Sequence, residues 1–474
     1  MKTAYVTTLA ALLAIVSSPC ASAAERTSTL GDQRAVNVTI YSDGNALVHD
    51  RRSIVLGNGI NQVAWRDVSA SMDPTSALLD GSETGVSAIE QNFNYDVLNS
   101  TSLLQSYLGK TVTVVHPPRF AGQLPVREEA KILGLDNGIV LQYADRVETQ
   151  VDGTIVFPGV PSSLRDRPTL TLELRSPRAG RSDLDLSYLT SGLSWSVDYV
   201  GTLSSDQTTM NLAGLVTLKN ESGTSFKSAR LQLIAGSVHT APPRQLVTIA
   251  RVVAQTVDTY TMNAQQEPLF EYHLYTIGHP TDILDKQTKQ VLLLSARDIP
   301  MKKTLELRGS TYYFQGAAGD IGDRLPVGVY VAFDNRGGNL GIPLPAGRVR
   351  MYQSDSHGLA QFLGSDSIGH TPRNDTVRLY LGDAFDVVAR KKQTDFHLKT
   401  NCRATSAYEI TLINGKDAAQ NVLVVEPLPG DWTISNESQP HEKSSARTAS
   451  WNVVVPADGK ATLTYTADVT WCRS

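Results

Sequence analysis

The densest set of residues able to do chemistry lies in SDSHGLAQFLGSDSIGHTPRND, which holds Asp355, His357, Asp366, His370, Arg373 and Asp375 within one short stretch. Imidazole and carboxylate groups held together can donate or accept hydrogen bonds and titrate near neutrality. With a guanidinium beside them, they can also hold a charged group of a partner. A strand over residues 348–353 and another over 361–364 would be joined by Ser-Asp-Ser-His-Gly, and His370-Thr371-Pro372 would lead into a strand over 377–381. If both loops lie at the same sheet end, the six side chains form one polar binding site. The simpler expectation is that His370 and Asp375 hydrogen-bond to backbone and only fix the loop.

A second chemistry needs only two carboxyl groups at a suitable separation, the requirement for cleaving a glycosidic bond. Asp183 with Asp185, or Asp366 with Asp375, would supply them, although acids at turns and strand ends more commonly cap backbone. Other catalytic patterns are missing. The nine histidines contain no HxH or HExxH, and the nearest pair, His273 and His279, is interrupted by a glycine, so no metal site is expected. Gly192-Leu193-Ser194-Trp195-Ser196 lacks the second glycine of a nucleophile elbow. There is no phosphate loop, dinucleotide fingerprint or calcium loop, and no cofactor is implied.

The elements that must position these residues read as strands. Apolar residues alternate at Val36, Val38 and Ile40, at Leu170, Leu172 and Leu174, at Val377, Leu379 and Leu381, and from Leu463 through Tyr465 to Trp471. Turn pairs such as Asn137-Gly138, Asp152-Gly153, Asn414-Gly415 and Asp458-Gly459 punctuate them. The fold class is therefore all-β, built of several stacked β modules. One short helix is expected over 102–107, with Leu103, Leu104 and Tyr107 on one face and Gly109 as its stop. Four modules are expected: an N-terminal β domain over 24–100, a small SH3-like or Sm-like barrel over 101–160, a β-sandwich region over 165–400, and an immunoglobulin-like sandwich over 401–474. Residues 241–268, polar and bounded by prolines, read as a loop excursion open to proteolysis. Leu193, Trp195, Val197 and Tyr199 share one parity, as an inward strand face should, and Trp432 reads as a plug at a sandwich edge. Arg390-Lys391-Lys392 reads as a solvated strand end.

Compartment follows from the first residues. Lys2, the apolar run 9–16 and Ala21-Ser22-Ala23 have the form of a secretory signal, with cleavage expected between Ala23 and Ala24. The run is too short for a transmembrane span, which takes about 20 apolar residues, and no second run follows. The expected location is periplasmic, or peripheral to the outer membrane. With 43 basic and 47 acidic residues the net charge is −4, which offers nothing to nucleic acid. An oxidising compartment permits one disulfide between Cys402 and Cys472. The two cysteines stand on opposite parities of their strands, so such a bond requires a bulge or a turn.

Three stretches, LDLSYLTSGLSWSVDYV at 184–200, LVTLKNESGTSFKSARLQLIAG at 215–236 and LGIPLPAGRVRMYQSDSHGLAQFLGSDSIGHTPRNDTVRLYLGDAFDVVARKKQTDF at 340–396, together with YEITLINGKDAAQNVLVVEPLPGDWTI near the end, resemble the family named domain of unknown function 4139. That resemblance runs from about Leu184 to the C-terminus and implies no activity. Relatives called mucoidy inhibitors are associated with surface polysaccharide, but this chain lacks their long coiled-coil segment. Together these features point to a secreted cell-envelope protein, a non-enzymatic binding or structural protein whose partner is an envelope protein or a glycan. The competing reading is a glycan-active hydrolase using a carboxylate pair.

Overall fold

The computed structural model describes residues 25–94, 97–118, 120, 122–136, 138–161, 164–236, 264–337 and 340–472. The expected signal segment and most of the expected 241–268 excursion lie outside the described residues. Strands make up 65% of the structure and helix 4%, as period-two alternation requires. The strand Gly180–Ser191 shows the physics, with Ser182, Leu184, Leu186, Tyr188 and Thr190 buried and the residues between them turned outward. The one α-helix among the described residues, Ser100–Ser106, starts where Asn99 accepts from the Ser102 amide and Ser102 Oγ accepts from the Asn99 amide, a reciprocal cap. Leu103 and Leu104 pack on a small core of Val112, Val114, Ile132 and Leu141.

The chain divides into two compact units, one of residues 1–36 and 48–190, the other of 37–47 and 191–474. In the first, a four-stranded sheet runs Arg26–Ser28, Gly59–Arg66, Thr169–Ser176, Ser87–Asn94. The strand Thr169–Ser176 was expected to open the third module, yet it is central here, because its Leu170, Leu172 and Leu174 complete the core of this sheet. The expected barrel over 101–160 is a five-stranded sheet in the order Val147–Glu148, Val140–Gln142, Val126–Gly134, Thr111–His116, Thr154–Val156. No ladder joins its two edge strands among the described residues, so the barrel is not closed. On the strand Asn45–Leu56, Arg52 is fully buried and satisfied: it meets Asp50 at 2.8 Å and donates to the carbonyls of Ser28 and Arg66, while Asp50 also accepts from Gln33 and the Trp65 indole.

In the second unit, seven strands follow one another in hydrogen-bonded order: Ala360–Ile368, Gly347–Ser354, Leu193–Leu203, Thr209–Asn220, Gln287–Arg308, Asp320–Asp334 and Thr376–Thr400. Their two ends meet without a ladder. Asp366 Oδ2 accepts from the Tyr380 amide at 2.8 Å, and at Gly364 a Cβ would stand 2.3 Å from the Leu381 carbonyl oxygen. Only a glycine allows that approach. The strands thus form a ring whose last seam is a side-chain contact. Leu193, Val197 and Tyr199 turn inward as expected; Trp195, of the same parity, is only half-buried.

Two strands are long enough to leave the ring. Gln287–Arg308 pairs with Thr209–Asn220 over its first part and with Gln420–Pro427 at its end, and Thr376–Thr400 turns from Asp320–Asp334 to Arg403–Asn414. Their ends join two sheets that enclose Leu305, Leu307, Val387, Ala389, Tyr408, Val424, Trp451 and Tyr465 in one core. The module boundary expected near 400 therefore cuts a continuous core, since residues on both sides of it bury their side chains together. Lys391 corrects another expectation. Only Arg390 and Lys392 of the triplet are solvated; Lys391 shares the inward parity of Val387 and Ala389 and is 2% exposed, its Nζ 2.6 Å from Glu426 Oε1. The rings of Tyr313 and Tyr408 lie 4.7 and 5.0 Å from the ammonium. Cys402 and Cys472 are bonded, with Cα atoms 5.2 Å apart. Parity does not oppose the bond, because both cysteines lie just beyond the ladder, one in the turn between Thr400 and Arg403 and one past Thr470.

Candidate functional site

The six residues of the polar segment do not assemble. Gly347–Ser354 and Ala360–Ile368 form a hairpin, so Asp355 and His357 lie at its turn while His370, Arg373 and Asp375 lie at its open end. Eight residues at about 3.3 Å each put the two groups roughly 26 Å apart. Each is used locally. Asp355 accepts from the amides of His357 and Leu359 and from Gln361 Nε2, all at 2.9 Å, and these bonds hold its carboxyl below the usual range. His370 Nδ1 accepts from the Ala346 amide at 3.2 Å, Asp375 caps the Thr376 amide, and Asp366 closes the ring seam. His357 and Arg373 are exposed.

Neither expected carboxylate pair is left unengaged. Asp183 and Asp185 share the outer face of their strand, but the Arg51 guanidinium stands 3.9 and 3.8 Å from them. Burial, ahead of the charges around it, raises the Asp185 carboxyl. Asp366 and Asp375 are each bound to backbone.

A cleft of about 230 Å³ opens at one end of the seven-stranded ring. Leu203, Leu305, Val329, Val331 and Leu381 form its wall, and Lys303, Lys416, Gln207 and Gln353 supply its polar groups. Lys303 is carried in on a strand face with Leu305 and Leu307. Its Nζ donates to Gln207 Oε1 at 2.7 Å. Gln207 is held at a φ of 58° in a turn that Asp206 fastens through Ser204 and Thr208. Lys416 is fixed by its own amide, which donates to Asn414 Oδ1, and Asn414 is buried and bonded to the carbonyls of Ala418 and Pro456. Among the described residues neither lysine forms an ion pair; the one lining carboxylate, Asp383, is exposed and accepts from the Tyr380 hydroxyl. Burial first, and the Lys416 charge second, lower the pKa of Lys303. A lysine whose charge is disfavoured by burial and by a like neighbour is stabilised by an anion placed beside it.

The profile of the domain of unknown function 4139 matches residues 184–473, more than half of the chain. The chain belongs to that family. No curated protein matches it. The 4139 region contains every strand of the ring, both cleft lysines and the Lys391–Glu426 pair, while the Arg52 cluster lies outside it. Neither cleft lysine was singled out from the sequence. A signal for Lys303 was present, since Ile299, Met301, Lys303, Leu305 and Leu307 share one parity; nothing local marks Lys416, which a turn brings to the cleft from far along the chain.

Proposed function

We propose that this chain is an exported, non-enzymatic binding protein of the cell envelope, and that the cleft at the end of the ring receives an anionic group of an envelope protein or glycan. The observation that carries this reading is the pair of ammonium groups, Lys303 and Lys416, lining one cleft with neither held in an ion pair among the described residues. Export rests on the form of residues 1–23. A binding role is favoured over hydrolysis because Arg51 or backbone amides occupy the acids a hydrolase would use. The test compares the mature protein with its Lys303→Met/Lys416→Met variant in affinity capture from envelope extracts, with both melting temperatures measured. Loss of a salt-sensitive partner at unchanged melting temperature is expected. Retention of the same partners by the variant would refute the reading.

A further inference from the structure

Resting on that reading of the cleft, we infer that the anionic group is the C-terminal carboxylate of a polypeptide whose last side chain is apolar. Three features select this ligand. The first is size: about 230 Å³ falls below the roughly 300–1,000 Å³ of pockets that enclose whole small ligands, so the cleft takes the end of a molecule. The second is the wall. Leu203, Leu305, Val329 and Val331 put an aliphatic surface beside the ammonium groups, and no aromatic ring lines the cleft. An acidic sugar would bring hydroxyls against that surface with no ring to stack on. A terminal residue carries a carboxylate and an apolar side chain on one carbon, matching both halves.

The third feature is the polar inventory. A monoanion suits two lysines with Asp383 nearby, whereas a dianionic phosphate would meet that carboxylate unfavourably. Gln353 spends its Nε2 on the Ser204 carbonyl at 3.2 Å, which leaves its Oε1 to accept from an amide of the entering chain. Capture of a terminal carboxylate is a recurring recognition mode, but here side-chain ammonium groups would replace the usual backbone amides.

The experiment uses the mature full chain and fluorescein-labelled hexapeptides ending in Val or Leu, each as the free acid and as the C-terminal amide, read by fluorescence anisotropy. Free acids are expected to bind at least tenfold more tightly than amides. Lys303→Met and Lys416→Met should each remove most of that difference, and Lys416→Met, at a turn, keeps the test valid if the strand variant folds poorly. Tetragalacturonate serves as the competing acidic glycan. If it binds in a lysine-dependent manner while the acid and amide peptides do not differ, the peptide inference is wrong and the anion-binding reading stands. If neither glycan nor peptide responds to the lysine substitutions, both are wrong.

Discussion

Replacing Lys391 by Met should be among the most damaging single changes in the second unit. The substitution keeps an unbranched side chain of similar length but removes the charge opposite Glu426, whose side chain is 0% exposed and whose Oε1 loses its partner at 2.6 Å. The Glu426 carboxylate is closely confined: a Cβ added at Gly309 would lie 2.0 Å from Oε2. Burial, reinforced by the Glu426 charge, already pushes the Tyr465 hydroxyl well up, a sign of how poorly this interior tolerates a second negative charge. Breaking a buried pair from one side costs about 3–5 kcal/mol, a large share of the roughly 5–15 kcal/mol that holds a domain folded. At roughly 2–4 °C per kcal/mol for a unit of this size, scanning calorimetry should show the corresponding transition fall by roughly 6–20 °C. The double variant Lys391→Met/Glu426→Met should recover most of the loss, because it leaves no unpaired charge. A single variant that melts within 2 °C of wild type, or a double variant no better than the single, would refute the argument that the pair is closed and dry.

Further expectations follow from the same structure. Arg52→Ala strands the buried Asp50 carboxylate beside Trp65 and should cost the first unit about 3–5 kcal/mol, measured by urea unfolding; a loss below about 1 kcal/mol would contradict the burial. Asp468 is held down to about 2 by hydrogen bonds from Arg403 first and Lys399 second. Because its folded pKa lies below the unfolded value, its contribution is present above about pH 4 and is lost as pH falls toward 2. Asp468→Asn should flatten the pH dependence of the melting temperature in that window, and an unchanged profile would rule the contribution out. His357→Ala and His370→Ala remove exposed imidazoles and should each shift stability by no more than about 0.5 kcal/mol. A larger loss in the His370 variant would mean that its bond to the Ala346 amide is worth more than exposure suggests.

What the sequence determined by itself was local. Alternation at Leu170–Leu174 and Leu463–Trp471 specified strands and their inward faces, because side-chain direction in a strand is a period-two property of the backbone. Tyr107 and Gly109 marked the end of the helix Ser100–Ser106, and the pattern from Leu184 onward carried the family. Parity even marked Lys303 and Lys391 as inward-facing, although charge alone made Lys391 read as solvated. Tertiary structure decided which strands pair. Gln287–Arg308 and Thr376–Thr400 each change partners midway, so two apparent modules share one core and no boundary falls at residue 400. It also separated Asp355 from His370, neighbours in sequence that a hairpin drives to opposite ends, and brought Lys303 to Lys416 across a long stretch of chain. These outcomes depend on ladder register and strand order between distant segments, which no local pattern of residues encodes.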